Sequence, residues 1–297
     1  MAMRVTNRMM VDLAVQRLNT RIGQFERSQR DLATGRRIHV ASDDVAGMNT
    51  AMGLRAALAA NSQAQRNAHD GVMLTEMADS RLGTMVEQLQ RVRELAVLGS
   101  TDTANGAELD AMAAEVAEIR ESLESLANAR VDGRPLFSGF QPGKAVEQIA
   151  GTWTYVGDTG SVTRRVSEAD VVAVNVTGGE AFGFSAGEDV FTMLDNLEAD
   201  LRAENRPAVN GSIDALDRAM DRVLSARSTL GAAANRIEKA LFRAQSDEVA
   251  FRTTLSETED TDMAKAIMEL QIQETAYQAA QSALAKSLQP SLASFLR

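Results

Sequence analysis

Residues 262–297, DMAKAIMELQIQETAYQAAQSALAKSLQPSLASFLR, carry the pattern that decides the fold. Their large apolar side chains recur at spacings of three, four or seven residues, which is the spacing of one stripe along a helix. The stripe consists of Met263, Ile267, Leu270, Tyr277, Leu284, Leu288 and Phe295. Because a polar helix cannot bury such a stripe by itself, another segment or another molecule must cover it.

The first forty residues carry a matching stripe. It consists of Val11, Val15, Leu18, Ile22, Phe25 and Leu32. We expect this helix to end near Gly35, since glycine readily adopts the left-handed conformation that terminates helices. Residues 1–40 hold eight arginines against three acidic residues, whereas residues 245–297 hold eight acidic residues against four basic ones. This asymmetry either reflects two ends that lie side by side or belongs to separate solvated helix faces.

Composition favours long helices and a buried core. The chain has 297 residues, 44% of them hydrophobic and only 4% aromatic. Its net charge of −10 argues against nucleic-acid binding, and the absence of cysteine excludes disulfides and thiol catalysis. We find no apolar run long enough to insert into a membrane, and residues 1–15 lack the apolar core of a cleavable signal peptide.

The pattern predicts a mainly α fold: an elongated antiparallel helical bundle or coiled coil formed by both chain ends, with a small inserted β domain. An N-terminal assembly helix occupies residues 1–40, and the first half of the bundle occupies residues 41–135. The β domain follows at 136–188, the second half of the bundle with a long helix at 189–256, and a C-terminal assembly helix at 257–297. Ser42, Asp43 and Asp44 precede a helix and are interpreted as capping residues rather than metal ligands.

The β domain is predicted from three short stretches: TWTYVGDTG (152–160), SVTRRVS (161–167) and DVVAVNVTGG (170–179). Each combines strand-forming residues with turn residues. Trp153 is expected in the core of this domain. The stretch GFQPGK (139–144) is not a phosphate loop, because its spacing is one residue short and Ala145 lacks the required hydroxyl.

No catalytic constellation emerges from the sequence. His39 and His69 are the only histidines, and neither belongs to a metal-binding or nucleophile-activating pattern. The sequence therefore predicts a protein that is not an enzyme and that has no cofactor and no metal site.

Several stretches carry a resemblance to a known family. LATGRRIHVASDDVAGMNTAMGLRA (32–56) and MELQIQETAYQAAQSALAKSLQPSLASFLR (268–297) resemble the two ends of the flagellin superfamily. NARVDGRPLFSGF (128–140), TYVGDTG (154–160) and VNVTGGEAF (174–182) are more similar to the smaller hook-filament junction proteins of that superfamily than to flagellin.

The resemblance implies a structural component of the bacterial flagellum that joins hook to filament as a ring, built by pairing of the N- and C-terminal helices. The alternative is a short flagellin that forms the filament itself. Implied partners are copies of itself, the larger hook-filament junction protein, other flagellar axial proteins and a cytoplasmic export chaperone at the C-terminal helix. The resemblance also implies export in unfolded form, without a cleaved signal peptide, to the extracellular flagellum.

Pro290 departs from a simple helical stripe. Proline removes a backbone donor and crowds the preceding turn, at a cost of about 3 kcal/mol in a straight helix. We therefore expect the final residues to turn away from the main stripe, with Leu292, Phe295 and Leu296 as separate contact candidates.

Overall fold

The computed structural model describes residues 2–102 and 104–293, without the side chains of residues 2–8, 10, 11, 284 and 286–293. By their internal contacts the residues group into two units. The terminal unit comprises Met1–Ala59 and Val249–Arg297, and the central unit comprises Ala60–Glu248. The predicted division into five segments stays a prediction.

Long helices dominate both units, and the predicted mainly α fold with long helices at both ends and a small β insertion is confirmed. The helices are α1 (Ala2–Thr34), α2 (Val45–Gly99), α3 (Gly106–Ala127), α4 (Gly178–Ala181), α5 (Val190–Arg202), α6 (Arg206–Glu259) and α7 (Met263–Ala293). Helices α2 and α6 contribute residues to both units.

Local capping chemistry sets the helix ends. Gly35 follows α1 with a φ of 70°, a left-handed conformation that glycine adopts without strain. Asp44 precedes α2, and its Oδ1 accepts a hydrogen bond from the Gly47 N–H at 2.9 Å. This hydrogen bond lowers the pKa of the Asp44 carboxyl. Asp189 caps α5 in the same way, accepting from the Thr192 N–H at 2.7 Å.

Helices α2 and α6 run antiparallel in the central unit. Arg93 Nε lies 2.6 Å from Asp217 Oδ1, and Arg227 Nε lies 2.9 Å from Asp79 Oδ1. Residue numbers thus rise along α2 as they fall along α6. Each pair joins a guanidinium to a carboxylate at the edge of the apolar seam between the helices.

Helix α3 runs antiparallel to α2. Gln88 Nε2 donates to Ser122 Oγ at 2.7 Å, and Arg91 Nε donates to Glu115 Oε1 at 2.6 Å. The two contacts advance in opposite directions along the two helices. Apolar residues on the inner faces of α2, α3, α5 and α6 form the main core of the central unit.

The β insertion consists of two-stranded antiparallel sheets. They pair β1 (Arg130–Val131) with β2 (Arg134–Pro135), β3 (Val146–Ile149) with β4 (Thr152–Tyr155), and β5 (Thr163–Arg165) with β6 (Val171–Ala173). Asn128, which ends α3, docks the second sheet: its Oδ1 accepts from the N–H groups of Ala145 and Val146, at 2.8 and 3.0 Å. The end of α3 is therefore hydrogen-bonded directly to the start of β3.

Trp153 is buried, as expected, but the core that it enters is shared with a helix. Its ring centroid lies 5.1 Å from that of Phe191 in α5, and its Nε1 donates to Asp195 Oδ2 at 2.7 Å. Two-stranded sheets have too little apolar surface to enclose an indole, so the nearest amphipathic helix supplies the cover.

Strands β5 and β6 form a second, smaller cluster on the α2–α6 pair. Val166, Val172 and Val174 are buried there against Ala68 of α2 and Ile237 of α6. Both halves of the insertion thus share their buried residues with helices.

Two expectations from the sequence concern Pro290 in α7 and the lack of a membrane-spanning helix. Helix α7 continues through Pro290 to Ala293, so the chain does not leave the helix at the proline. Pro290 lies three residues before the end of α7, where it removes only the one hydrogen bond that its own N–H would donate. Residues 294–297 lie outside the described part. Within the described ranges, no helix has the length and apolar character of a membrane-spanning segment.

Candidate assembly surface

Helices α1 and α7 lie side by side in the terminal unit. Where α1 ends, the Thr261 N–H donates to the Gly35 carbonyl at 2.9 Å. Further along, the rings of Phe25 and Tyr277 stack with centroids 6.4 Å apart and planes 17° apart. Numbers fall along α1 as they rise along α7, so the two helices are antiparallel. The structure thus brings the two sequence stripes onto one pair of helices, which we call the terminal pair.

On α1 the predicted stripe is partly covered. Leu18, Ile22, Phe25 and Leu32 are half-buried, whereas Val15 is exposed. Val11 lies within the helix, but its side chain is outside the described residues.

On α7 the face toward α1 is shifted from the predicted stripe. Leu270 and Tyr277 are half-buried as expected, but Met263 and Ile267 are about half exposed. The covered positions are Ala266, Leu270, Gln273, Ala276, Tyr277 and Ala280, and apart from Ala276 they recur at spacings of four and three. Leu284, Leu288 and Leu292 lie within α7 with undescribed side chains, and Phe295 and Leu296 lie outside the described residues.

The terminal pair does not close a core by itself. Among the side chains described in α1 and α7, only Ala266 is buried. By contrast, Phe191, Leu194 and Leu216 of the central unit are fully buried. Two helices share a single seam, so most of each helix surface stays uncovered.

The most exposed apolar residues of α7 lie on the side turned away from α1. Met268 is 58% exposed and Ile272 is 64% exposed. Each is two residues from the covered Leu270, a rotation of about 200° around the helix axis. Sequence reasoning missed this second stripe because it followed a single seam. The signal was present in MELQI, where apolar residues fall on more than one side of the helix.

Opposite charges from the two chain ends meet at Arg36 and Glu259, outside the terminal pair. No ion pair joins α1 to α7 among the residues with described side chains. Arg17 and Arg27 are exposed, and Arg21 donates to Gln24 on its own helix at 3.1 Å. The contact between these helices is therefore mainly apolar.

The segment after α1 is held to the end of α6 by main-chain contacts. Arg36 and Asp260 form an antiparallel bridge, and the Arg37 N–H donates to the Glu259 carbonyl at 2.7 Å. The Glu259 side chain is 5% exposed and contacts both Arg36 and Arg55. We call this set of contacts the base of the terminal pair. Sequence reasoning missed it, because nothing in the pattern links residues 36 and 259.

The loop that leads from this base into α2 is ordered by side-chain acceptors. His39 Nε2 lies 2.8 Å from Asp31 Oδ1. Asp43 Oδ2 accepts from the N–H groups of Val40 and His39, both at 3.1 Å. These backbone hydrogen bonds, with that of Val40 first, lower the pKa of the Asp43 carboxyl. The aspartates thus fix the turn, as capping residues do.

Comparison with known proteins gives this geometry a context. The bacterial flagellin N-terminal helical region matches residues 5–141, and the flagellin C-terminal helical region matches residues 213–296. A flagellin from Halalkalibacterium halodurans is 27% identical over 276 residues, covering 93% of this chain and 92% of the relative.

Solved structures share the fold at lower identity. FlgL from Xanthomonas campestris aligns with a TM-score of 0.62 at 20% identity, over 68% of this chain and 99% of its own. The flagellar junction protein FlgL from Legionella pneumophila aligns with a TM-score of 0.62 at 15% identity, over 71% of this chain and 100% of its own.

Long helices from the two ends of the chain pair with each other, and the flagellin relatives are structural proteins. The class of this chain is therefore structural protein and not enzyme. The two matched regions together cover well over half of the sequence, and the chain belongs to the flagellin superfamily. It is a structural component of the bacterial flagellum.

Proposed function

We propose that this chain joins the flagellar hook to the filament as one subunit of an assembled ring, and that the terminal pair is its assembly surface. One observation carries the assembly role: the terminal pair leaves apolar side chains uncovered on both helices, among them Met9, Met268 and Ile272. Burial of such residues between subunits would stabilise an assembly by about 25 cal/mol per Å² of apolar surface.

The same surface would include the stripe residues predicted from the sequence. They are Val11, Val15, Leu18, Ile22, Phe25, Leu32, Met263, Ile267, Leu270, Tyr277, Leu284, Leu288, Leu292, Phe295 and Leu296. Half-buried members hold α1 against α7, and exposed members face neighbouring subunits. In this proposal a subunit completes its apolar contacts only within the assembly.

The junction role draws its support from the fold shared with the two FlgL structures over nearly their whole length. The second candidate is a short flagellin that forms the filament itself. It is favoured by the Halalkalibacterium relative, a flagellin that aligns over nearly the whole of both chains. The two functions differ in whether assembly stops at a ring or continues without limit.

The proposal includes the partners expected from the sequence resemblance. These are further copies of the chain, the larger junction protein and other axial proteins. Before export a cytoplasmic chaperone would cover α7, whose apolar faces are otherwise open to solvent. The chain would leave the cell unfolded and without a cleaved signal peptide.

Immunogold labelling of flagella isolated from the producing bacterium tests the junction role. We expect one narrow band of label where hook meets filament. Label along the whole filament would overturn the junction role and favour flagellin. Polymerisation of the purified chain gives a second test, since a junction subunit should not grow long filaments by itself.

A further inference from the structure

Glu259 stands out in the part of the chain that the structure describes, because it is the one charged residue there whose side chain is buried. It is the last residue of α6, and three residues separate it from the start of α7. A buried carboxylate is unfavourable unless it is paired and hydrogen-bonded. Its presence at this position therefore calls for an explanation.

Two arginines from separate segments hold this carboxylate. Arg55 of α2 donates from Nη2 to Oε2, and Arg36, just after α1, has its Nε 3.5 Å from Oε1. Each oxygen of Glu259 thus has its own cationic partner. The carboxylate joins α6, α2 and the end of α1 at one point.

Main-chain contacts lock the same point. Beside the bridge between Arg36 and Asp260, the Arg37 N–H donates to the Glu259 carbonyl at 2.7 Å. The Arg37 guanidinium reaches the Thr258 carbonyl, with Nη2 at 3.0 Å. Helix α1 ends, and helix α7 begins, within a few residues of these contacts.

An apolar cluster of equal volume would hold these segments together at least as strongly, since buried ion pairs are often no more stable than apolar replacements. What an ion pair adds is direction, because each guanidinium meets a carboxylate only in a narrow range of geometries. The charged contact therefore suits a point that must set an angle rather than merely supply stability.

We propose that Glu259, held by Arg36 and Arg55, is the positioning residue of the assembly surface. It fixes where the terminal pair leaves α2 and α6, so that the exposed faces of α1 and α7 point toward neighbouring subunits. This inference rests on the proposed assembly role of the terminal pair, but it does not depend on whether the product is a ring or a filament.

The first test replaces Glu259 with glutamine, which keeps the size of the side chain and removes its charge. We expect Glu259→Gln to reduce incorporation into flagella at least tenfold, measured by quantitative immunoblot of isolated flagella from a strain that lacks the native chain. The central unit should unfold at an unchanged midpoint. Glu257→Gln is the matched control, because Glu257 is exposed two residues away on the same helix. Wild-type incorporation of Glu259→Gln would overturn the proposal.

The second test replaces the lost contact with a covalent one. The natural chain has no cysteine, so Arg36→Cys and Asp260→Cys introduce a single pair of thiols. Residues opposite each other in an antiparallel bridge have Cα atoms about 4.5–5.5 Å apart, within the range that a disulfide spans. In the Glu259→Gln background, we expect the oxidised chain to regain incorporation when it is added to flagella growing outside the cell.

Reduction should abolish the rescue. An oxidised chain that still fails to incorporate would refute a positioning role, because the segments would then be joined without effect. Failure of the disulfide to form in the purified chain would contradict the bridge itself. These outcomes are separate from the junction role, which is tested by where the unmodified chain is found.

Discussion

Replacing Phe25 with alanine tests the contact between α1 and α7 directly. Complete burial of a phenylalanine contributes about 3–5 kcal/mol relative to alanine. The Phe25 ring is half-buried and stacks on Tyr277 at 6.4 Å. We therefore expect Phe25→Ala to lose about half of that stabilisation, or about 2 kcal/mol. This figure includes the contact between the two rings, which is worth about 0.5–1.5 kcal/mol.

Hydrogen exchange followed by mass spectrometry, with short labelling pulses on the isolated chain, measures this loss. A destabilisation of about 2 kcal/mol corresponds to opening of the terminal pair that is about 30-fold more frequent. The effect should appear in peptides from both α1 and α7 and leave the central unit unchanged. Phe242→Ala is the control, since Phe242 is 74% exposed on α6. Unchanged exchange in α7 after Phe25→Ala would refute the pairing, because a paired helix must respond to its partner.

Three further predictions concern individual contacts. Trp153→Phe removes the indole donor to Asp195 and should lower the free energy of unfolding of the central unit by about 1.5–3 kcal/mol in urea titrations followed by circular dichroism. Gly183→Ala should cost about 1–3 kcal/mol in thermal unfolding, because Gly183 has a φ of 87° and a Cβ there would lie 2.2 Å from the Glu188 carbonyl oxygen. The pKa of Asp43 is lower in the folded chain than its unfolded value near 3.8, so the ionised carboxylate stabilises the folded turn. This stabilisation is fully present above pH 3.8 and is lost as the pH falls through the lower folded pKa. Amide hydrogen exchange in this turn, corrected for the intrinsic pH dependence of exchange, should therefore rise as the pH falls below about 4, and Asp43→Asn should remove that rise.

Sequence periodicity identified the long helices, because their apolar residues follow one seam. Gly35 and Asp44 also marked helix boundaries correctly, since capping depends on local residue chemistry. These are short-range effects that a sequence displays directly.

The spacing of apolar residues could not predict contacts between residues far apart in the sequence. The pairing of Glu259 with Arg36 and Arg55 joins residues more than two hundred positions apart, and no periodicity relates them. The position of Trp153 against α5 depends on a tertiary contact with Phe191, which strand propensity does not indicate. The exact face of α7 was also missed. Its apolar residues lie on several sides, so which one meets α1 depends on the partner.

That ambiguity has a functional meaning if the terminal pair is an assembly surface. A helix that met a single partner would need one apolar stripe, whereas a helix between subunits needs more than one. Met268 and Ile272 are therefore as informative about function as the covered Leu270 is about the pair.

Removing residues 262–297 tests the central claim most directly. The truncated chain lacks all of α7, so it keeps the central unit and loses the terminal pair. We predict that it unfolds with the same central-unit midpoint as the full chain but is absent from isolated flagella, by immunoblot after expression in a strain that lacks the native chain. The amounts of truncated chain in the cytoplasm and in the medium should also be measured, because failed export would keep the chain off flagella as well. Adding purified truncated chain to flagella that grow outside the cell removes the need for export. Incorporation of that added chain at the level of the full chain would contradict the claim that the terminal pair forms the assembly surface.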